Sequence, residues 1–148
     1  MKKGIKSILI LILITVIGLG LYVYTEYNRK SKSIAETTED FTISASDFLN
    51  EFQSGENKAN AKFIGKTVLV SGILKTVEAG EKGRYTLVLG DKNASSSIRC
   101  EMDSTFLNKD NTLKEGNTVK IKGKCSGFIA DDLGLGSDII LGPCIIVN

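Results

Sequence analysis

Three cysteines, a row of lysines, a cluster of aspartates and two separated arginines are the residues of this chain whose types and spacing could do chemistry. Lys120, Lys122 and Lys124 alternate with Val119, Ile121 and Gly123, so on a strand all three ammonium groups project from one face. Phosphate or an anionic polymer could use such a row; lysines also protect a solvent-facing strand against edge pairing. Asp131, Asp132 and Asp138 lie among glycines. Their oxygens suit a hard cation, but no EF-hand or nonapeptide pattern frames them, and the stretch reads as a flexible acidic loop. Cys100, Cys125 and Cys144 show no C-x-x-C spacing, which argues against a thioredoxin-like motif. The chain has no His, so Ser-His-Asp and Cys-His arrangements are excluded and the usual zinc ligand set shrinks to dispersed cysteines and carboxylates. No Walker loop, dinucleotide fingerprint or framed carboxylate pair is present. The expectation is a protein without catalytic residues, metal or cofactor.

The elements that must position these groups begin with an apolar run. Lys2, Lys3 and Lys6 precede an uncharged stretch from Ser7 to Thr25, which closes with Glu26, Arg29, Lys30 and Lys32. As a helix it spans roughly 28 Å, close to the hydrocarbon thickness of a bilayer. It is longer than a signal-peptide core and no small-residue cleavage site follows it. Tyr22, Tyr24 and Tyr27 cluster at its distal end, where an interfacial aromatic belt would place them. We expect a retained single-pass anchor in the inner membrane, with residues 1–27 forming the anchor and its flanks. The basic residues lie closer to the run on its N-terminal side, which puts the N-terminus in the cytoplasm and the C-terminal domain in the periplasm or outside the cell.

The formal net charge of +2 belongs to that segment. Six of the 19 basic residues and one of the 17 acidic ones lie in residues 1–32, leaving 13 basic and 16 acidic groups in the rest, a net of −3. A basic nucleic-acid footprint would have to sit in the domain, whose balance does not supply one. Residues 28–40, NRKSKSIAETTED, are polar and read as a tether.

Residues 41–148 read as one small domain. Ser44-Ala45-Ser46-Asp47 fits a capping box, followed by Phe48, Leu49 and Phe52 on one helical face. Gly55 interrupts, and a second short helix over Glu56–Phe63 puts Ala59 and Phe63 on a stripe beside the solvated Lys58, Lys62 and Lys66. The pattern then switches to period two: Thr67–Val77, Arg84–Gly90, Ser97–Met102, Thr118–Cys125 and Asp138–Val147 are five predicted strands. A break over Asp103–Leu113 suggests a short helix at Phe106 and Leu107. Residues 65–72 and 116–123 share the pattern G-x-T-V-x-[VI]-x-G. In each, a turn glycine starts a strand and a closing glycine permits the bend or close approach that a small closed barrel needs. Strand, strand, strand, helical break, strand, strand is the order of an OB-fold barrel, in which the first and fourth strands lie side by side. The fold class is therefore mainly β: a five-stranded OB-fold-like barrel preceded by short helices, with an N-terminal transmembrane helix.

At these residues the chain resembles a family. The stretch Asn60–Val68 with Val70-x-Gly72, then Ser97–Cys100, Val119–Phe128 and Ile140-Leu141-x-x-Cys144 are similar to small bacterial OB-fold proteins called tRNA-anti-like, which carry membrane anchors or lipoprotein signals. The resemblance covers about residues 41–148 and rests on glycines and hydrophobics. It implies kinship with anticodon-binding OB folds and brings no settled activity. Ala130–Ser137 looks like an insertion in the last hairpin.

An OB-fold places its ligand on the second and third strands and the loops beside them. Arg84 and Arg99 would flank that groove, and Asp131, Asp132 and Asp138 sit in the strand four–five loop, where specificity is expected. Stacking platforms for single-stranded nucleic acid are wanting: Tyr85 is the one aromatic on those strands and alternation turns it inward. Cys100 shares the inward face of Ile98 and Met102, and Cys125 that of Val119 and Ile121. A hairpin with Cys125 near Asp138 puts Cys144 opposite Val119, some 20 Å from Cys125, at ~3.3 Å per residue. Strands three and five are neighbours, so Cys100–Cys144 is the disulfide the fold permits; three buried, reduced thiols are the other outcome. The sequence thus reads as a membrane-tethered, extracytoplasmic, non-enzymatic binding module, its partner beyond the membrane at residues 7–25 being a peptide, an envelope protein or a saccharide. A single-stranded nucleic-acid-binding module is the alternative, and a thiol-redox protein the distant third.

Overall fold

In a computed structural model of the protein the described residues are 15–24, 33–106, 113–130 and 136–147, without the side chain of Lys82. The chain divides into two units, Met1–Lys32 and Ser33–Asn148. In the first, residues 15–24 are helical with exposed side chains. No helix among the described residues is long and apolar enough to cross a membrane; the remainder of the run expected to do so, residues 7–14 and 25, lies outside them.

The second unit starts with a short strand, β1 (Phe41–Ser44), and two helices, α1 (Ala45–Ser54) and α2 (Glu56–Phe63). Then come β2 (Thr67–Ala79), a turn of 3-10 helix (Glu81–Gly83), β3 (Tyr85–Leu89), β4 (Ser97–Met102), β5 (Thr118–Ile129) and β6 (Asp138–Ile146). The strands follow the order β1-β2-β3-β4-β6-β5, and β5 returns to β2. β2 to β6 therefore close the OB barrel that the period-two segments predict. β4 and β6 run parallel, whereas the β2–β3, β3–β4, β5–β6 and β2–β5 pairs are antiparallel.

The helices form where the pattern places them. The Ser44 hydroxyl accepts from Asp47 N at 3.1 Å, satisfying one of the free donors at the start of α1. Phe48, Leu49 and Phe52 then fall on one buried face, joined from α2 by Ala59 and Phe63. Phe48 meets Phe63 edge-on at 4.9 Å between centroids, and Phe52 stacks on Phe128 of β5 at 4.8 Å. Each buried Phe stabilises the fold by about 1.5–3 kcal/mol, so this aromatic plug fixes the helices on the barrel. Lys62, expected to be solvated, pairs with Glu51 at 2.9 Å and lies 4.7 Å from the Phe63 ring centroid.

The two glycine-bracketed segments pair with each other reciprocally. In the β2–β5 register Val68 faces Gly123, Gly72 faces Val119, and Val70 faces Ile121 at the centre. The opening glycines act alike: Gly65 N donates to Cys125 O and Gly116 N to Leu74 O, each at 2.8 Å. Both sit at positive φ, +79° and +87°, a conformation a side chain would strain.

Two expectations are corrected. Residues 28–40 are not a free tether throughout: from Ser33 the chain lies on the barrel, with Ile34 buried and the Lys122 ammonium donating to Ala35 O and Thr37 O at 3.1 and 2.9 Å. Asp40 then closes the start of β2, its N–H donating to Thr67 O and its carboxylate accepting from Thr67 N. β1, on which the sequence pattern is silent, pairs in parallel with β2. Lastly, the β5–β6 hairpin turns beyond Ile129 instead of Cys125. That sets Cys144 opposite Gly123, not Val119, and Cys125 opposite Leu141. The register shifts near Gly127 and Pro143 move these partners further, and a proline, lacking an N–H, is accommodated at such an irregularity. Of the break at Asp103–Leu113, residues 103–106 form a turn in which Phe106 N donates to Asp103 O; the helix expected at Phe106 and Leu107 is not among the described elements, and 107–112 lie outside them.

Candidate functional site

Alternation along β3 and β4 turns Leu87, Leu89, Ile98, Cys100 and Met102 into the core and leaves Thr86, Val88, Arg99 and Glu101 on the outer face. Glu78 of β2 lies beside Thr86, and Ile140 of β6 beside Arg99. This is the ligand face of an OB barrel, between the β2–β3 turn and the β5–β6 loop. A cleft of about 890 Å³ opens at its β2–β3 end, with Arg84, Glu101, Asp103 and Pro143 on its walls.

Three charged groups on this face, Arg99, Glu78 and Asp103, are already engaged. The Arg99 guanidinium is ion-paired with the Glu78 carboxylate across β3. Asp103 accepts from Thr105 N at 2.9 Å and from Thr105 Oγ1 at 2.8 Å, and these bonds hold its carboxyl below the usual value. Arg84 is exposed on the rim. Tyr85 is half-buried, meets Phe106 edge-on with ring centroids 5.7 Å apart, and lines the cleft with its remaining surface. Among the described side chains, a single strand entering here would meet one open guanidinium beside Glu81, Glu101 and Asp103.

Of the residues expected to bind, Arg84 and Arg99 do share the face. Asp138 lies at its opposite end, where it accepts from Ser97 Oγ at 2.7 Å and ties β6 to β4. Asp131 and Asp132 lie outside the described residues. The lysine row is interrupted: Lys120 and Lys124 are exposed, but Lys122 is 9% exposed beneath residues 33–37. All three cysteines are buried and free. Burial pushes the Cys125 thiol up to about 11. Cys144 is pushed higher by its hydrogen bond with Cys100, then by burial and by electrostatic interaction with Cys100 and Glu101. These two groups stay protonated, and so poorly nucleophilic, at neutral pH. Among the described residues no group of His, Cys, Asp and Glu could hold a metal.

Sequence reasoning missed a second cleft, of about 710 Å³, between α1 and the β3–β4 turn. Its only signal in the sequence is the density of small polar residues over 91–97.

The closed five-strand barrel, with its helices ahead of the first barrel strand, defines an OB-fold domain. The chain belongs to the tRNA_anti-like family, whose model matches residues 1–137; the match thus begins well before residue 41 and includes the apolar run. Among solved structures the chain is similar to a lipoprotein of Klebsiella pneumoniae subsp. pneumoniae to which nucleic-acid binding is ascribed, with a TM-score of 0.51 and 18% identity over 72% of this chain and 91% of that one. It is also similar to asparaginyl-tRNA synthetases from Entamoeba histolytica, bound to asparaginyl-adenylate (TM-score 0.39, 14% identity, 57% of this chain), and Pyrococcus horikoshii (0.38, 18%, 59%), spanning 21% of each. No curated protein matches it.

Proposed function

We propose that this chain is a non-enzymatic binding module, tethered through residues 7–25 to the inner membrane with its OB barrel outside the cytoplasm. Its ligand is a peptide, an envelope protein or a saccharide, taken up on the outer face of β3 and β4, with specificity assigned to the chain between β5 and β6. The observation that carries the ligand class is the Arg99–Glu78 pair: the central cation of the face is matched by a carboxylate of the same fold, and Tyr85 is the one aromatic ring among the described residues lining the cleft. Single-strand binding depends on both free cations and stacking platforms. The tether is supported by the length of the apolar run and by the family match extending over it.

The alternative, a module for single-stranded nucleic acid, draws on the family's kinship with anticodon-binding OB folds. Titration of the full chain with single-stranded RNA and DNA at falling salt separates the two. The proposal expects weak binding that does not steepen; binding that tightens sharply as salt falls sinks it. A reporter fused to the C-terminus, active only in the cytoplasm, tests the address. Silence is expected, and activity would overturn the extracytoplasmic placement.

A further inference from the structure

The geometry points to a binding site for a neutral oligosaccharide in the cleft between α1 and the β3–β4 turn. This site is separate from the outer face of β3 and β4. Its floor is aliphatic, made by Leu49, Gly72 and Ile73. Ile73 is 51% exposed although it sits in the middle of a barrel strand. At Gly72 an added Cβ would lie 2.6 Å from Ala45 Cβ, so only glycine lets α1 approach closely enough to form this wall.

The other walls carry neutral hydrogen-bonding groups. The side chains of Asn50, Ser71, Asn93 and Ser95 line the cleft and hold no hydrogen bond among the described residues. Gln53 Nε2 donates to Ser96 Oγ at 3.1 Å, and that hydroxyl also accepts from Ser137 N, which steadies the rim. Charge is nearly absent. Asp91 is the one charged residue lining the cleft, and its carboxylate accepts from Asn93 N at 3.1 Å. The nearby Lys75 ammonium is held by Ala94 O at 2.6 Å.

A polyanion would find no cation lining this cleft, and a polycation one carboxylate already bonded to Asn93 N. An extended peptide would want an open strand edge, but Ser71 is paired with Ser44 and Ile73 O accepts from Gly90 N. Amides and hydroxyls that both donate and accept match sugar hydroxyls, which do the same. The aliphatic floor can receive the C–H face of a pyranose ring. The volume lies within the range of small-ligand sites, roughly 300–1,000 Å³.

The test is calorimetric titration of the full chain, in a detergent without a sugar headgroup, with maltotriose, cellotriose and chitotriose, and with a neutral Ser/Asn tripeptide as comparison. Expected is binding of at least one trisaccharide, insensitive to salt, weakened tenfold or more by Asn50→Ala with Asn93→Ala and by Ile73→Ser. The side chains of Asn50 and Asn93 are exposed and hold no hydrogen bond among the described residues, so the first variant keeps the fold. Arg99→Ala should leave this binding unchanged. Absence of binding to all three sugars, tighter binding of the tripeptide, or indifference to the cleft variants would overturn the site. Loss of sugar binding in Arg99→Ala alone would also overturn it, moving the ligand to the strand face and leaving the binding-module reading intact.

Discussion

Gly72 and Gly123 close the same eight-residue pattern and face the same residue type across the β2–β5 pair, yet each is needed for a different reason. At Gly123 an added Cβ would lie 2.3 Å from Cys144 Sγ and 3.3 Å from Leu141 Cβ, inside the barrel. At Gly72 it would meet Ala45 Cβ at 2.6 Å, at the first turn of a helix outside the barrel. One glycine admits a core thiol, and the other admits the helix that walls the second cleft. A repeated sequence thus builds a nearly two-fold strand pair, and the surroundings give each copy its own task.

That comparison can be broken by exchange of partners. Gly123→Ala should be the costliest change, about 2–3 kcal/mol of stability, because a closed barrel cannot step aside. Adding Cys144→Ala should recover part of the loss, whereas Ala45→Gly should not; chemical denaturation of the wild type, each single variant and each double variant forms the two cycles. Gly72→Ala should cost less, about 1–2 kcal/mol, since α1 can tilt away. Here Ala45→Gly should rescue and Cys144→Ala should not. Rescue by the wrong partner would show that the two sites are coupled through β2 and β5.

Smaller effects sharpen the contrast between β5's two faces. Lys122→Met removes both bonds to the 33–37 segment, and a loss of about 1 kcal/mol is expected, with a much larger rise in amide exchange over residues 33–39. Protection unchanged there would mean that Ile34 alone holds the segment. On the inward face, the Cys125 thiol ionises near pH 9.0 when unfolded and near 11 in the fold. Above pH 9 the unfolded chain therefore loses a proton that the native chain keeps, and stability should fall as pH rises from 9 to 11, with this contribution flat below 9. Cys125→Ala should make that alkaline fall shallower. Intact mass with and without reductant reports on Cys100 and Cys144, whose thiols are in hydrogen-bond contact; a loss of two hydrogens in the unreduced protein would mark the bridge.

The barrel was legible in the sequence because each of its strands buries one face, which writes a period of two into the residues. The helices were legible through Ser44, Asp47 and the phenylalanine spacing. β1 was not: four residues are too few to show a period, and its pairing with β2 is a tertiary event. Nor could alternation tell Lys122 from Lys120 and Lys124, since what buries it comes from residues 85 and 87 positions earlier. At the strand face, Arg84 and Arg99 were found by topology, but the neutralising Glu78 sits two strands away from Arg99 and carries no local mark. The β6 register was misread because strand length was ended at a cysteine rather than at the turn beyond Ile129. The second cleft left almost no trace, because serines and asparagines in a turn look the same whether or not a helix packs beside them.

The most direct test of the strand-face account is the salt dependence of oligonucleotide binding by the wild-type chain and by Glu78→Gln with Glu101→Gln, between about 20 and about 200 mM salt, where each phosphate neutralised on a single strand contributes a slope of about −0.7. The account predicts a wild-type slope shallower than about −0.7, steepening in the variant as Arg99 is released. A wild-type slope of about −2 or steeper, abolished by Arg84→Ala with Arg99→Ala, would contradict it.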